Sequence, residues 1–62
     1  MIMNFSEALL ALKDGSYCTR DAWGNDFVFI EDGQFTKSSD GHCADWTPTH
    51  EDLLAEDWVV SA

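Results

Sequence analysis

Trp46-Thr47-Pro48-Thr49-His50-Glu51-Asp52-Leu53-Leu54-Ala55-Glu56-Asp57-Trp58-Val59-Val60 decides how this chain folds. Pro48 blocks a helix before it, and Thr49 is suited to cap one, with Asp52 three residues on facing back toward it. A short helical turn through Glu51–Ala55 follows, its first acids complementing the positive end of the helix dipole. Then the pattern changes: Trp58-Val59-Val60 is aromatic and β-branched, and reads as a strand. A strand that closes a chain must pair with something earlier, or with another copy. The upstream residues therefore have to supply a sheet.

They do. Asn4 and Glu7 have the spacing of a capping box, and Phe5, Ala8, Leu9 and Leu12 repeat at helical intervals, so residues 5–13 are expected to form an amphipathic helix. Gly15, after Asp14, suits the left-handed position that ends it. The first strand is expected over residues 16–23, with Tyr17, Thr19, Asp21 and Trp23 on one face and Cys18, Arg20 and Ala22 on the other. Neither set is clearly apolar, so the inward face stays open. Gly24-Asn25 breaks the pattern as a turn. Residues 26–31 form the strongest strand, whose apolar run from Phe27 to Ile30 implies cover on both faces. Asp32-Gly33 is a two-residue hairpin signal, and residues 34–37 return as the next strand. Residues 38–41 read as loop, and 42–45 lead back to Trp46. The expected fold is α+β: one domain over residues 1–62, with a small antiparallel sheet of about four strands. An N-terminal amphipathic helix packs on one face, and a short second helical turn precedes the last strand.

At 62 residues a lone core is marginal, which makes the aromatic content and self-association the natural stabilisers. Two cysteines, Cys18 and Cys43, allow at most one bridge. No apolar run approaches the roughly 20 residues of a membrane span, and Met1-Ile2-Met3 does not read as a signal peptide, so a cytoplasmic location is expected. The formal net charge is −9, and Lys13, Arg20 and Lys37 are the only basic side chains. Such a chain has no footprint for clamping a nucleic-acid backbone. The charge serves solubility, or attracts a basic partner.

Enzymatic readings find little support. Cys18 or Cys43 with His42 or His50 supplies the letters of a nucleophile and base, but no flanking pattern fixes them, and no Gly-rich phosphate loop is present. His42, Cys43, Asp45 and His50 match no paired metal-ligand spacing, so neither metal nor cofactor is expected. The aromatics say more. Trp23 and Trp46 border turns, where a ring is packed or left half exposed; an exposed ring stacks on a nucleobase for roughly 1–3 kcal/mol per base. Arg20 is read either as a surface ion pair or as a phosphate contact.

Three blocks together resemble the second-type Thoeris anti-defence proteins of phages and prophages, and their anti-CBASS relatives. They are Asn4–Leu9 with Leu12–Gly15, Thr19–Asn25, and the opening stretch Trp46–Trp58. The terminal block is the specific part, and the likeness thins across residues 26–45. The resemblance implies a non-enzymatic sponge that binds a cyclic nucleotide immune signal without cleaving it. It also implies a homo-oligomer, dimer or tetramer, with pockets where subunits meet. By that resemblance Asn4, Phe5, Trp23, Trp46, Thr49 and Asp52 fall at pocket positions. Phe5 or Trp23 would stack on a base, Asn4 and Asp52 would bond ribose or base edges, Arg20 would meet a phosphate, and Asn25 lies in the same turn as Trp23. Free backbone N–H groups at a helix start also hold phosphate. Two departures stand out: the Asp21-Ala22-Trp23-Gly24-Asn25 turn differs from the usual order, and the middle segment is short. The alternative function is an acidic inhibitor of nucleic-acid-mimic type that blocks a basic protein surface.

Overall fold

The computed structural model describes residues 2–61. Its elements run α1 (Phe5–Lys13), β1 (Cys18–Arg20), a 3-10 turn (Asp21–Trp23), β2 (Phe27–Glu31), β3 (Gln34–Ser39), β4 (His42–Asp45), α2 (His50–Leu54) and β5 (Trp58–Val60). The strands form one antiparallel sheet in the order β4-β3-β2-β1-β5. The α+β class, the N-terminal helix and the short helix before the last strand stand as read from the sequence.

The sheet has five strands where the sequence suggests about four. His42–Asp45 carries little strand propensity, yet pairs with β3 from Thr36↔Asp45 to Ser39↔His42. The turn makes the strand. Asp40 and Gly41 both take positive φ (52° and 81°), as do Asp32 and Gly33 (52° and 76°), the backbone that lets a two-residue loop match the twist of its flanking strands. One Asp-Gly signal thus makes both hairpins. β1, in contrast, is shorter than residues 16–23: it ends at Arg20, and Asp21–Trp23 turn away as a 3-10 helix closed by Gly24 at φ 78°.

Both helices start as their capping boxes require. The Asn4 side chain accepts from the Glu7 amide and the Glu7 carboxylate from the Asn4 amide, each at 3.0 Å. On α2 the Asp52 amide donates to the Thr49 hydroxyl at 3.2 Å, and the Thr49 amide donates to the Asp52 carboxylate at 3.1 Å. α1 buries Ala8 and Leu12 against the sheet face that carries Cys18, Val28 and Trp58; Met3 completes the core. Cys18 and Arg20 are therefore the inward residues of β1, which settles the open choice. Met3 exchanges both backbone bonds with Trp58 (2.8 and 3.0 Å), so the outer side of β5 is held by the N-terminal segment.

The apolar run of β2 is covered differently from the expectation. Val28 is buried and Ile30 packs on the core, but Phe27 and Phe29 lie on the opposite face, half-buried. There they stack on Tyr17, at 5.3 and 5.0 Å between ring centroids, and no described helix crosses that face. Aromatic side chains cover one another where a second layer was expected. Cys18 is buried and Cys43 exposed, and both are free.

Trp58 lies at the centre with no exposed surface, and its indole N–H donates to the Asp52 backbone oxygen at 3.0 Å. Trp58→Phe keeps a ring but leaves that oxygen without this donor. It is expected to lower stability by about 1–3 kcal/mol, out of the roughly 3–9 kcal/mol available to a domain of this size. Urea unfolding checks it; an unchanged midpoint would show that the bond contributes nothing.

Candidate functional site

The aromatic side chains from four parts of the chain meet around Trp58. Phe5 opens α1, Trp23 ends the 3-10 turn, and Trp46 follows β4. Their centroids lie 5.5, 5.1 and 6.0 Å from the Trp58 ring, all at steep interplanar angles. Trp46 also touches Phe5, Trp23 and Phe35. Edge-to-face contacts of this kind add stability beyond area burial. Trp58 is wholly internal; Phe5, Trp23, Trp46 and Phe35 are only partly buried. The cluster thus has a packed centre and an accessible rim.

Beside it lies a polar knot. The Arg20 guanidinium, almost buried, donates to Asp57 at 2.9 Å and to Asp52 at 3.0 Å, with Glu51 at 3.6 Å. The Asp57 hydrogen bond, the largest cause, holds the Arg20 pKa above its ordinary value despite the opposing effect of burial. The reciprocal bond holds the Asp57 carboxyl below the usual carboxylate range. Asp57 also accepts from the Ala22 amide at 3.3 Å, which fixes the turn carrying Trp23. The guanidinium carbon lies 6.0 Å from the Trp23 ring.

Of the eight residues singled out in the sequence, Phe5, Trp23 and Trp46 gather at the rim, and Asn4 caps α1 next to Phe5. Arg20, Thr49 and Asp52 join the knot beneath, where Asp52 caps α2, accepts from Arg20 and bonds Trp58 through its backbone oxygen. Asn25 is exposed in the turn after Gly24. Sequence reasoning missed Lys37 and Asp57. The Lys37 ammonium lies 4.2 Å from the Trp23 ring centroid, on the inward face of β3 opposite Val28 and Ala44. A basic residue at an alternating position in a polar strand gives no warning of that; only the register does.

A surface depression of about 290 Å³ lies elsewhere, lined by Glu31, Asp32, Gln34, Thr36, Cys43, Ala44 and Asp45. It includes none of the eight residues, and its three carboxylates repel an anion. Burial pushes the Cys18 thiol pKa up, which makes it a poor nucleophile. No helix of the described residues is long and apolar enough to cross a membrane.

Comparison with known proteins gives two findings. The family model described as Tad2-like, a Thoeris anti-defense 2-like domain, matches residues 3–61. A Bacillus phage SP01 protein named "Thoeris anti-defense 2" is 30% identical, over 94% of this chain and 93% of its own length. That alignment runs to 83 positions, longer than the chain itself, so the relative carries residues that this one lacks.

The knot sets a pH dependence. Because the folded Asp57 pKa is depressed, its ion pair contributes stability above the ordinary carboxylate value near 3.8, and that contribution is lost as pH falls through the folded value. The raised Arg20 pKa keeps the guanidinium charged throughout this window. Asp57→Asn is therefore expected to lower the melting temperature at pH 7, and the gap from wild type should close below about pH 4. A gap that persists unchanged at pH 2.5 would show that the carboxylate charge is not what stabilises the knot.

Proposed function

The chain belongs to the Thoeris anti-defense 2-like family, and from that premise we propose that it binds a cyclic nucleotide immune second messenger and sequesters it without cleaving it. An anti-defence role comes with the family; the ligand and the absence of turnover are our reading. The observation that carries it is the partly buried rim of Phe5, Trp23 and Trp46 around the buried Trp58. Flat rings held rigidly at a surface offer a base about 1–3 kcal/mol each in stacking, and their rigidity lowers the entropic cost of binding. The free side-chain amide donors of Asn4, next to Phe5, stand ready for a ribose or base edge once its oxygen has capped α1.

The rim is open in a single chain, so we assign the missing wall to a second copy in a dimer or tetramer. Retention without chemistry agrees with the site's composition. The rim is aromatic, its carboxylates are committed to capping and to Arg20, and the buried thiol has a raised pKa. Nucleic acid is not the expected partner, because a chain of net charge −9 with its one arginine held between two aspartates has little to offer a phosphate backbone.

Isothermal titration against cyclic dinucleotides and cyclised adenosine diphosphate ribose tests the reading, with the ligand recovered after heating the complex. The expected result is saturable binding and an intact ligand. Cleaved ligand would make the protein an enzyme. Silence across the panel would sink the sponge reading and favour an acidic inhibitor, whose basic partner should be captured by pull-down and released steeply by salt. Trp23→Ala is expected to weaken binding about 10- to 100-fold, as the loss of one stacking platform requires, with assembly unchanged by size-exclusion chromatography.

A further inference from the structure

We infer that Lys37 is the phosphate-reading group of the aromatic site, and that it is held over Trp23 until a base displaces it. The inference rests on the cyclic nucleotide reading above and adds to it the residue that senses the ligand's charge.

Few cations are available to meet a phosphate. Lys13, Arg20 and Lys37 are the basic side chains of the whole sequence. Arg20 is nearly buried and bonded to both Asp52 and Asp57, so freeing it would leave two carboxylates facing each other without their counter-charge. Lys13 lies in the last turn of α1, at the end where a cation complements the helix dipole. Lys37 differs from both. Its side chain is about 30% exposed, and its one ion pair among the described residues, to Asp26, is long at 3.9 Å. Asp26 meanwhile accepts from the Ser39 hydroxyl at 3.1 Å, so that carboxylate has another partner when the ammonium leaves.

What holds Lys37 in place is the Trp23 ring. At 4.2 Å from the centroid the ammonium is well within cation–π range, and it covers the ring where a nucleobase would stack. Base and ammonium cannot share that position. A base arriving on this face of Trp23 therefore pushes the ammonium outward on its flexible four-carbon stem, to the edge of the same ring. The ligand's phosphate hangs from the ribose, to one side of the stacked base. The displaced charge thus exchanges an aromatic face and a weak ion pair for a phosphate oxygen, a stronger partner. An uncharged nucleoside would displace the lysine without offering it a replacement. The pair consequently selects for a base that carries a phosphate, at a site where the surrounding acids would otherwise repel it.

The test titrates wild type, Lys37→Gln and Lys37→Arg with the panel of cyclic dinucleotides and cyclised adenosine diphosphate ribose, with adenosine and guanosine as phosphate-free counterparts. Thermal unfolding serves as the fold control. The expected result is that Lys37→Gln loses at least tenfold in affinity for the nucleotide that binds wild type, while binding the matching nucleoside as well as or better than wild type does. Salt should weaken nucleotide binding less in Lys37→Gln than in wild type, because one charge–phosphate contact is gone, and Lys37→Arg should recover most of the loss. Asp26→Asn, which removes the competing carboxylate, should bind the nucleotide more tightly than wild type, and it carries the test if Lys37→Gln fails to fold. Nucleotide affinity and salt slope unchanged in Lys37→Gln would overturn the role of Lys37 and leave the sponge reading standing. Tighter nucleotide binding by Lys37→Gln would overturn it as well, by making the lysine only an obstacle. Wild type silent to every panel member would overturn both.

Discussion

The fold depends on one aspartate. Asp52 receives the Thr49 amide and the Arg20 guanidinium on its two carboxylate oxygens, gives its own amide to Thr49, and accepts the Trp58 indole N–H on its backbone oxygen. Those bonds tie a five-residue helix to β1 and to β5. A helix of that length has almost no stability of its own, since nucleation costs more than one turn returns. Its capping and its tie to β1 use the same carboxylate, and its tie to β5 uses that residue's backbone oxygen. Trp58 is positioned by this arrangement, and the aromatic rim is positioned by Trp58.

The size of the chain makes such economy necessary. A single layer of helices on one sheet face buries few side chains completely: Ala8, Leu12, Cys18, Val28 and Trp58 are the ones with at most 1% exposure. The other face carries the stacked rings of Tyr17, Phe27 and Phe29, with Thr36 and Ser38 beside them. Rings compensate for the missing layer because each brings a large apolar area at a small cost in side-chain freedom, and because stacked rings shield one another. The same property serves binding. A rigid ring at a surface is already ordered before a ligand arrives, so the residues that stabilise a small fold are also those best prepared to stack on a base.

Much of this was legible in the sequence, wherever a residue's role depends on near neighbours in the chain. Asn4 with Glu7 and Thr49 with Asp52 announce both helix starts, and Asp32-Gly33 announces its hairpin. β4 was not, because Asp40-Gly41 carries the same turn signal but leads into His42-Cys43-Ala44-Asp45, whose side chains have no preference for a strand. Phe5, Trp23 and Trp46 were singled out as large rings beside turns and helix starts, and the structure gathers them around Trp58. Arg20 was read as a surface ion pair or a phosphate contact; it is an ion pair, but an almost buried one, and its partners Asp52 and Asp57, 32 and 37 residues away, lay beyond any local pattern. Lys37 depends on sheet register and on the direction of the turn after β1, neither of which its own neighbours encode.

Charge gives the last constraint on how such a chain meets an anion. With a net charge of −9, the long-range field opposes the approach of any phosphate, and salt screens that field only beyond about 8–10 Å. Affinity must then come from contacts made inside that distance: ring faces, amide donors and one movable ammonium. Such contacts are short-ranged and depend on shape. They favour a ligand that places base and phosphate together in a fixed geometry, as a cyclised nucleotide does, over a flexible polyanion that would spread its charge along the acidic surface. On the proposed reading, the acidity that disfavours nucleic acid would also be a source of selectivity. It would raise the threshold every phosphate must overcome, and only a ligand able to stack on the rim and hold the displaced lysine would gain enough to cross it.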